Sequence, residues 1–439
     1  MRRPGKSIRI GVESEQVDRA GSEIVDCGVI PDSKTIHEWP VLLVLAATQF
    51  VHILDFMMIM PLGPEFIRLY GISAQQFGFL VTVYTFSAAL CSFMVAFVID
   101  HFDRKYALIC FCVGFILATL LCAASWSYTM LLCSRAVAGM FGGLMSAAIF
   151  SIIADLIPES RRGTATGTVM SSFSLAAVVG MPMGLLLANW LSWRIPFVTL
   201  ALLTVLIIVA AYRYLPVIKA HGQHSYHSAS VGTFSLTGQL KSVFMNRNHI
   251  VAFSLISVVM FSSYLVIPFI GLYMISNVGM YEHELPYLYF IGGLCTFFTA
   301  NLFGRFTDRY GQRLMFGILA AMSMIPILWV THITEASLVL MLAATTLFMV
   351  LVTGRVIPLM ALITVSVRPH LRGSFMTFHM SIQQLSAGLG SLIAGSIMQI
   401  TAQGQIMHYD SVGLFAAVIT LFSIVLIKQL KTTAELDAQ

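Results

Sequence analysis

Twelve long apolar segments dominate this sequence, and each is long enough to cross a lipid bilayer. A membrane-spanning helix needs about 20 mostly apolar residues. Lipid offers no hydrogen-bonding partners to the backbone, so segments of this length should be helical, whereas barrel strands would alternate over about 10 residues. The predicted segments are 41–62, 77–99, 106–126, 129–154, 165–188, 196–215, 249–275, 286–304, 314–333, 336–361, 374–398 and 412–430.

The composition supports an all-α membrane protein. Apolar residue types make up 58% of the 439 residues and charged types only 10%, whereas soluble domains carry about 25% charged residues. The same numbers exclude intrinsic disorder. The net charge of +5 does not indicate nucleic-acid binding, because the basic residues lie between the apolar segments. Most of the seven cysteines lie in apolar segments, which favours core residues over disulfides or a metal site.

The basic residues predict the orientation in the membrane. They concentrate in the polar tail 1–38 and in the even-numbered connections, whereas the odd-numbered connections hold only Arg68 and Arg194. Positive charge stays on the cytoplasmic side, so both termini are expected in the cytoplasm and the protein in the cell inner membrane. The tail has no closely following apolar core and does not resemble a signal peptide.

One long polar connection divides the chain into two six-helix halves. Residues 216–248 form this predicted cytoplasmic linker, between a first bundle at 39–215 and a second at 249–430, with a short tail at 431–439. The linker histidines could hold a metal ion, but a solvated polar linker is the favoured interpretation. They are His221, His224 and His227.

The two halves resemble each other in sequence. The loop around Asp100 is similar to the loop around Asp308, and residues 158–163 are similar to residues 368–373. Both pairs are about 210 residues apart, and such internal repeats are common in transporters built from two rocking bundles. The sequence therefore predicts two bundles related by a pseudo-two-fold axis.

The second loop carries a recognisable motif. Its pattern Gly304-x-x-x-Asp308-Arg309-x-Gly311-x-Arg313 closely resembles the loop signature of the major facilitator superfamily. This resemblance covers about residues 40–430 and implies twelve helices around a central cavity. It also implies a secondary transporter, similar to the branch of drug:proton antiporters.

Two further stretches are similar to signatures of the same family. Arg135 and Gly139 match the fourth-helix pattern, and residues 176–184 resemble the fifth-helix signature of proton-driven exporters. Glycines allow close helix approach and prolines interrupt helical hydrogen bonds. The residues expected to pack or bend helices are Gly139, Gly180, Pro182, Gly184 and Pro268.

Charged residues on the short cytoplasmic loops predict a conformational latch. A carboxylate beside arginines can form a charge cluster that closes one state and breaks in the other. Solvated loop charges that only obey the orientation rule are the alternative. The predicted latch residues are Asp100, Arg104, Asp155, Arg161, Arg162, Gly304, Asp308, Arg309, Gly311 and Arg313.

Three charged residues lie deep inside apolar segments, away from the segment ends, where each costs at least about 2.5–3.5 kcal/mol on insertion scales. Asp55 and Arg135 both lie about 10 Å below the same predicted boundary, at 1.5 Å per residue, so they can pair if their helices face one cavity. Burial favours the neutral carboxyl and a nearby arginine favours the carboxylate, so Asp55 can bind and release a proton. A purely structural ion pair is the alternative. His52, three positions earlier, either tunes the proton or packs as a hydrogen-bonded histidine.

The third charge, Arg355, either snorkels to the cytoplasmic surface or contacts an anionic substrate. Other polar residues in the apolar segments are expected to line the cavity between the halves. The predicted cavity residues are Thr48, Gln49, Tyr264, Tyr273, Arg355, His379, Gln383 and Gln384.

These features predict a monomeric, proton-coupled transporter that moves a small organic solute by alternating access, in the direction of efflux. Proton symport that imports a nutrient or a metal chelate is the main alternative, and a non-transporting membrane sensor is the second. The sequence has no Gly-x-x-x-x-Gly-Lys-[Ser/Thr] loop for ATP. It has no arrangement of nucleophile and base, so neither an enzyme nor a bound cofactor is expected.

Overall fold

Long helices separated by short connections form almost all of the computed structural model, which describes residues 38–98, 103–216, 245–367, 372–433 and 435. The apolar segments satisfy their backbone groups internally, as lipid requires. The helices of the first half are α1 (Glu38–Met58), α2 (Gly63–Tyr70), α3 (Ala74–Val98), α4 (Arg104–Ala123), α5 (Tyr128–Leu156), α6 (Glu159–Leu175), α7 (Met181–Trp190) and α8 (Ile195–Tyr214).

The second half repeats this organisation, with more interruptions. A two-residue β-hairpin, β1 (Gln399–Ile400) and β2 (Ile406–Met407), precedes the last helix. Neither this antiparallel hairpin nor the short helix α2 was among the predicted elements. The helices are α9 (Arg247–Val266), α10 (Ile270–Tyr273), α11 (Leu285–Tyr310), α12 (Gln312–His332), α13 (Leu338–Gly354), α14 (Val356–Val365), α15 (Arg372–Ile397) and α16 (Tyr409–Leu426).

Eleven helices, some of them interrupted, are long and apolar enough to cross a membrane in the described part of the chain. The twelfth crossing is α15, whose 26 residues extend about 39 Å. It is not among the eleven, because Gln383, Gln384 and several serines and glycines lower its hydropathy. With α15 the described part of the chain has twelve membrane helices, six in each half.

Two membrane segments are interrupted at a proline. A π-helical turn, Ala176–Gly180, separates α6 from α7 and ends two residues before Pro182. A 3₁₀ turn, Ile267–Phe269, contains Pro268 and separates α9 from α10. Proline lacks the N–H that the helical ladder needs, so these are expected sites of irregular geometry.

The outer surface of the bundles is apolar. On α8, for example, Leu202, Leu206 and Val209 are all more than 60% exposed. A soluble monomer rarely exposes a continuous apolar surface of this kind. This surface is suited to lipid, as the composition predicted.

The two halves meet along two pairs of helices. Helix α3 packs on α15, where the Thr82 hydroxyl donates a hydrogen bond of 2.8 Å to the Gly388 carbonyl. Helix α11 packs on α7 and the preceding π turn, and a Cβ on Gly293 would lie only 2.9 Å from the Ala177 carbonyl oxygen. Small residues therefore allow close contact at both junctions.

The molecule has a basic end, defined here by Arg104, Arg162 and Arg313, and an opposite end. At the opposite end the halves are joined directly: Arg68 donates to Glu282 at 2.8 Å, and the Asn189 amide donates to the Glu282 carbonyl at 3.2 Å. At the basic end, a Cβ on Gly163, Gly167 or Gly304 would meet no atom within 4 Å.

Candidate functional site

A buried ion pair connects the first and fourth membrane helices. Arg135 on α5 donates from Nη1 to Asp55 Oδ2 on α1 at 2.9 Å, and from Nη2 to the Asp55 carbonyl at 3.3 Å. Both side chains have no exposed surface. The similar depths of Asp55 and Arg135 below one predicted membrane boundary indicated that they could pair, and the structure brings the two residues together.

Tyr84 on α3 contacts the ion pair through its ring and His52 through its hydroxyl. Its ring lies 4.2 Å from Arg135 Cζ, a cation–π distance, and its hydroxyl is 2.9 Å from His52 Nδ1. His52 and Tyr84 are both buried. The sequence predicted His52 but not Tyr84, whose only signal was a hydroxyl-bearing ring within an apolar segment.

Glycines in α5 create the space for this cluster. A Cβ on Gly139 would lie 2.2 Å from the Tyr84 carbonyl oxygen, and one on Gly142 would lie 2.4 Å from His52 Nδ1. Both positions are too close for any side chain. The fifth-segment glycines are similarly confined: a Cβ on Gly180 would be 2.7 Å from Leu54, and one on Gly184 would be 1.9 Å from Met58.

The ion pair retains unused hydrogen-bonding capacity. Among the described residues, Asp55 Oδ1 and Arg135 Nε have no hydrogen-bond partner. A buried carboxylate with one free oxygen has an atom available to accept a proton, and protonation would remove the charge that holds Arg135. The geometry therefore allows a switch between a paired and an unpaired arginine.

Polar groups continue along α1 toward the basic end. Gln49 Oε1 accepts a hydrogen bond from the Ser146 hydroxyl on α5 at 3.2 Å, and the Thr48 hydroxyl donates to the Val44 carbonyl at 2.7 Å. Both predicted cavity residues are buried. Gln49 therefore lies on the side of α1 that faces α5, as Asp55 does.

One predicted cavity residue of the second half, Tyr264, is connected to the ion pair through aromatic contacts. Its ring centroid is 6.0 Å from that of Phe56, which itself stacks on Tyr84 at 5.5 Å. Tyr273 is instead buried, with its hydroxyl bonded to the Ile333 carbonyl at 2.8 Å.

The three predicted residues on α15 differ in environment. His379 is fully buried, and neither ring nitrogen has a hydrogen-bond partner among the described residues. Phe375 lies beside it, at 6.1 Å between ring centroids. Gln383 and Gln384 are half-buried. Of the three, the two glutamines have the partial exposure expected of cavity-lining groups.

Arg355 lies in a cage of hydroxyl groups at the break between α13 and α14. It is fully buried, so it does not snorkel. No carboxylate in the described ranges pairs with it. Its two terminal nitrogens donate four bonds of 2.9–3.1 Å, to Ser262, Ser263, Ser323 and Thr420.

In the first half, the structure brings two of the predicted latch residues together. Arg104 Nε donates to Asp155 Oδ2 at 2.9 Å. Arg162 donates to the Ala154 and Ile157 carbonyls at the end of α5. Arg161 is exposed on α6, and Asp100 lies outside the described residues.

In the second half, the arginine of the motif pairs elsewhere. Arg313 binds Glu435 from two nitrogens, with 2.8 Å from Nη1 to Oε1. This bond, together with the Thr432 backbone N–H, lowers the pKa of Glu435 to about 2. Asp308 is exposed and forms no ion pair with the residues described, and Arg309 lies over the Tyr310 ring at 5.4 Å. Gly311 has φ +93°, a conformation that favours glycine at this turn, whereas Gly304 lies within α11.

Known proteins resemble this chain over most of its length. The family model described as Major Facilitator Superfamily matches residues 45–262 and 252–436. The uncharacterized MFS-type transporter YwfA of Bacillus subtilis (strain 168) is 25% identical over 415 residues, covering 90% of this chain and 93% of YwfA.

Solved structures share the fold at low sequence identity. The D-xylose-proton symporter has a TM-score of 0.70 at 14% identity, covering 88% of this chain and 97% of its own. The inward-open xylose transporter XylE from E. coli has a TM-score of 0.69 at 16% identity, covering 91% and 99%. Because the family matches extend over nearly all of the described helices, this chain belongs to the major facilitator superfamily and is a multi-pass membrane transporter.

Proposed function

We propose that this protein is a proton-coupled secondary transporter that exports a small organic solute across the cell inner membrane, as a monomer. The observation that carries the proposal is the Asp55–Arg135 pair, which is fully buried and has one unbonded carboxylate oxygen. A charge pair of this kind is costly in a membrane and is expected to have a function. Proton binding to Asp55 would release Arg135 and favour a different arrangement of the helices.

We assign the basic end to the cytoplasm, because lysine and arginine concentrate in the connections on that side of the membrane segments. In that orientation, the contacts between Arg68, Asn189 and Glu282 close the outer end. The described state is then inward-facing, with exposed α6 and α11 at the cytoplasmic side. The likeness to an inward-open structure of XylE supports this assignment.

The test is solute flux in vesicles with an imposed pH gradient. Asp55→Asn keeps the shape of the side chain but cannot change charge, so transport should no longer respond to the gradient while the protein is still produced. Asp410→Asn, an exposed carboxylate in the first turn of α16, is the matched control and should remain coupled. A gradient response in Asp55→Asn equal to that of the wild type would exclude Asp55 as the proton carrier.

Proton-driven uptake is the second candidate, supported by the likeness to a D-xylose-proton symporter. The direction of flux in oriented vesicles separates the two. Under an inward proton gradient, an exporter moves solute against the proton flow and a symporter moves it with the flow.

A further inference from the structure

We propose that Tyr84 is a positioning residue that connects the Asp55–Arg135 pair to the contact between the two halves. The inference rests on the proposed proton coupling at Asp55 and extends it to a residue that the sequence did not reveal. Tyr84 is fully buried and contacts both the guanidinium of Arg135 and the imidazole of His52.

Arg135 has different attractive contacts in the two protonation states of Asp55. While Asp55 is charged, the guanidinium is held by the carboxylate at 2.9 Å and by the Tyr84 ring at 4.2 Å. When Asp55 is neutral, the guanidinium keeps the Tyr84 ring and the longer hydrogen bond from Nη2 to the Asp55 backbone carbonyl at 3.3 Å. The position of Arg135 then depends on Tyr84, and a displacement of either residue is transmitted to the other.

Helix α3, which carries Tyr84, contacts both α5 and the other half. Its backbone at Tyr84 is in contact with α5, since a Cβ on Gly139 would be 2.2 Å from the Tyr84 carbonyl oxygen. Two neighbours of Tyr84 on this helix, Thr82 and Thr85, contact α15. Thr82 donates to the Gly388 carbonyl at 2.8 Å, and a Cβ on Gly388 would be 2.3 Å from Thr85 Oγ1. A rotation of α3 at Tyr84 therefore changes its packing on the other half.

Several charged or titratable groups surround Tyr84. Asp55 and His52 face it from α1, Arg135 from α5 and the buried Cys122 thiol from α4. Asp55 is the one whose protonation removes the ionic partner of Arg135. The proposal assigns the pH response to Asp55 and its transmission to Tyr84.

The test measures the distance between the halves as a function of pH. Spin labels at Trp190 and Tyr287, both exposed near the opposite end, report opening in purified, cysteine-free protein. In the wild type the populations should change with pH, and Asp55→Asn should abolish the change. Tyr84→Leu should move the midpoint by about one pH unit, or tenfold in proton concentration, or remove the response.

Two conservative variants define which part of the tyrosine matters. Tyr84→Phe keeps the ring and should keep the wild-type midpoint; a loss there would show that the hydroxyl, through its contact with His52 or Asp55, is the link and would overturn the assignment to the ring. Tyr409→Phe, which removes another buried hydroxyl, bonded to the Val266 carbonyl, is the matched control and should leave the midpoint unchanged.

The outcomes separate the two proposals. If the wild type does not respond to pH, or if Asp55→Asn still responds, the proposed function fails. If the label distances in Asp55→Asn do not change with pH but those in Tyr84→Leu change with the wild-type midpoint, only the role of Tyr84 is overturned. Should Tyr84→Leu fail to fold, the isosteric Thr82→Val removes the bond to Gly388; an unchanged midpoint and amplitude there would overturn the transmission through α3.

Discussion

Two arginines in the described part of the chain are fully buried, and they are stabilised by different chemistry. Arg135 has a carboxylate and an aromatic ring, whereas Arg355 has four hydroxyl groups. Those hydroxyls in turn donate to helix carbonyls, as Ser263 does to Val259 at 2.8 Å. The charge of Arg355 is thus distributed, through these hydroxyls, over the backbone dipoles of three helices. No carboxylate partner is needed.

Replacing Arg355 tests this arrangement. In Arg355→Met the hydroxyls keep their backbone acceptors and no charge is buried, so we expect a loss of about 1–3 kcal/mol in the free energy of unfolding. Arg355→Lys retains a buried charge but cannot bind all four hydroxyls, and should be less stable than Arg355→Met. Thermal unfolding in detergent measures the relative stability of the wild type and the two variants.

The exposed Arg68→Lys is the control for an arginine-to-lysine change and should have little effect on stability. If Arg355→Lys unfolds at a higher temperature than Arg355→Met, a positive charge at this position contributes more than the hydroxyl cage explains.

At the scale of the helices, α5 packs on α3 with almost no side-chain volume between them. Gly139 meets the Tyr84 carbonyl oxygen, and Gly143 would place a Cβ 2.3 Å from the Ala88 carbonyl oxygen. The Ser92 hydroxyl donates back to the Gly143 carbonyl at 2.9 Å. Close approach of this kind gives membrane helices their packing energy, since no hydrophobic effect drives them together in lipid.

Adding a single methyl group should destabilise the protein at this close contact but not at a glycine position with open space around it. Gly139→Ala would force α3 and α5 apart and is expected to cost about 1–3 kcal/mol in the free energy of unfolding. Gly167→Ala, where a Cβ would meet no atom within 4 Å, should be neutral or stabilise by up to about 1 kcal/mol. Folded yield and unfolding temperature measure both, and equal stability of the two variants would contradict the packing argument.

Local sequence features predicted the elements better than the contacts between them. Proline accounts for the break at Pro268, because its missing N–H is a local property. The depths of Asp55 and Arg135 followed from counting residues from one membrane boundary. Tyr84 did not follow, because an apolar segment does not show which of its faces meets another helix. The hydroxyl cage of Arg355 also escaped prediction, because its members come from three separate helices.

At the scale of the whole molecule, the two halves are held together at the opposite end by an exposed ion pair. The side chains of Arg68 and Glu282 are 63% and 46% exposed, and Glu65 also binds Arg68. Exposed pairs contribute only about 0–1 kcal/mol. That is enough to shift the balance between two nearly equal conformations, and too little to prevent opening.

Charge reversal tests this contact. Arg68→Glu would repel Glu282 and should raise the open-to-closed ratio at this end by up to about fivefold. The double variant Arg68→Glu with Glu282→Arg restores opposite charges across the halves and should return the ratio toward that of the wild type. Distances between the labels at Trp190 and Tyr287 measure both. If the double variant is as open as the single one, the pair does not control this end.

The polarity of α15 has a consequence for biogenesis. A segment with adjacent glutamines and several serines partitions poorly from the translocon into lipid by itself. Its main packing partner is α3, which is synthesised much earlier and lies in the other half. Helix α9 of the same half also packs on α15, so we expect α3 to assist its insertion: truncated chains that lack α3 should insert this helix into the bilayer less efficiently.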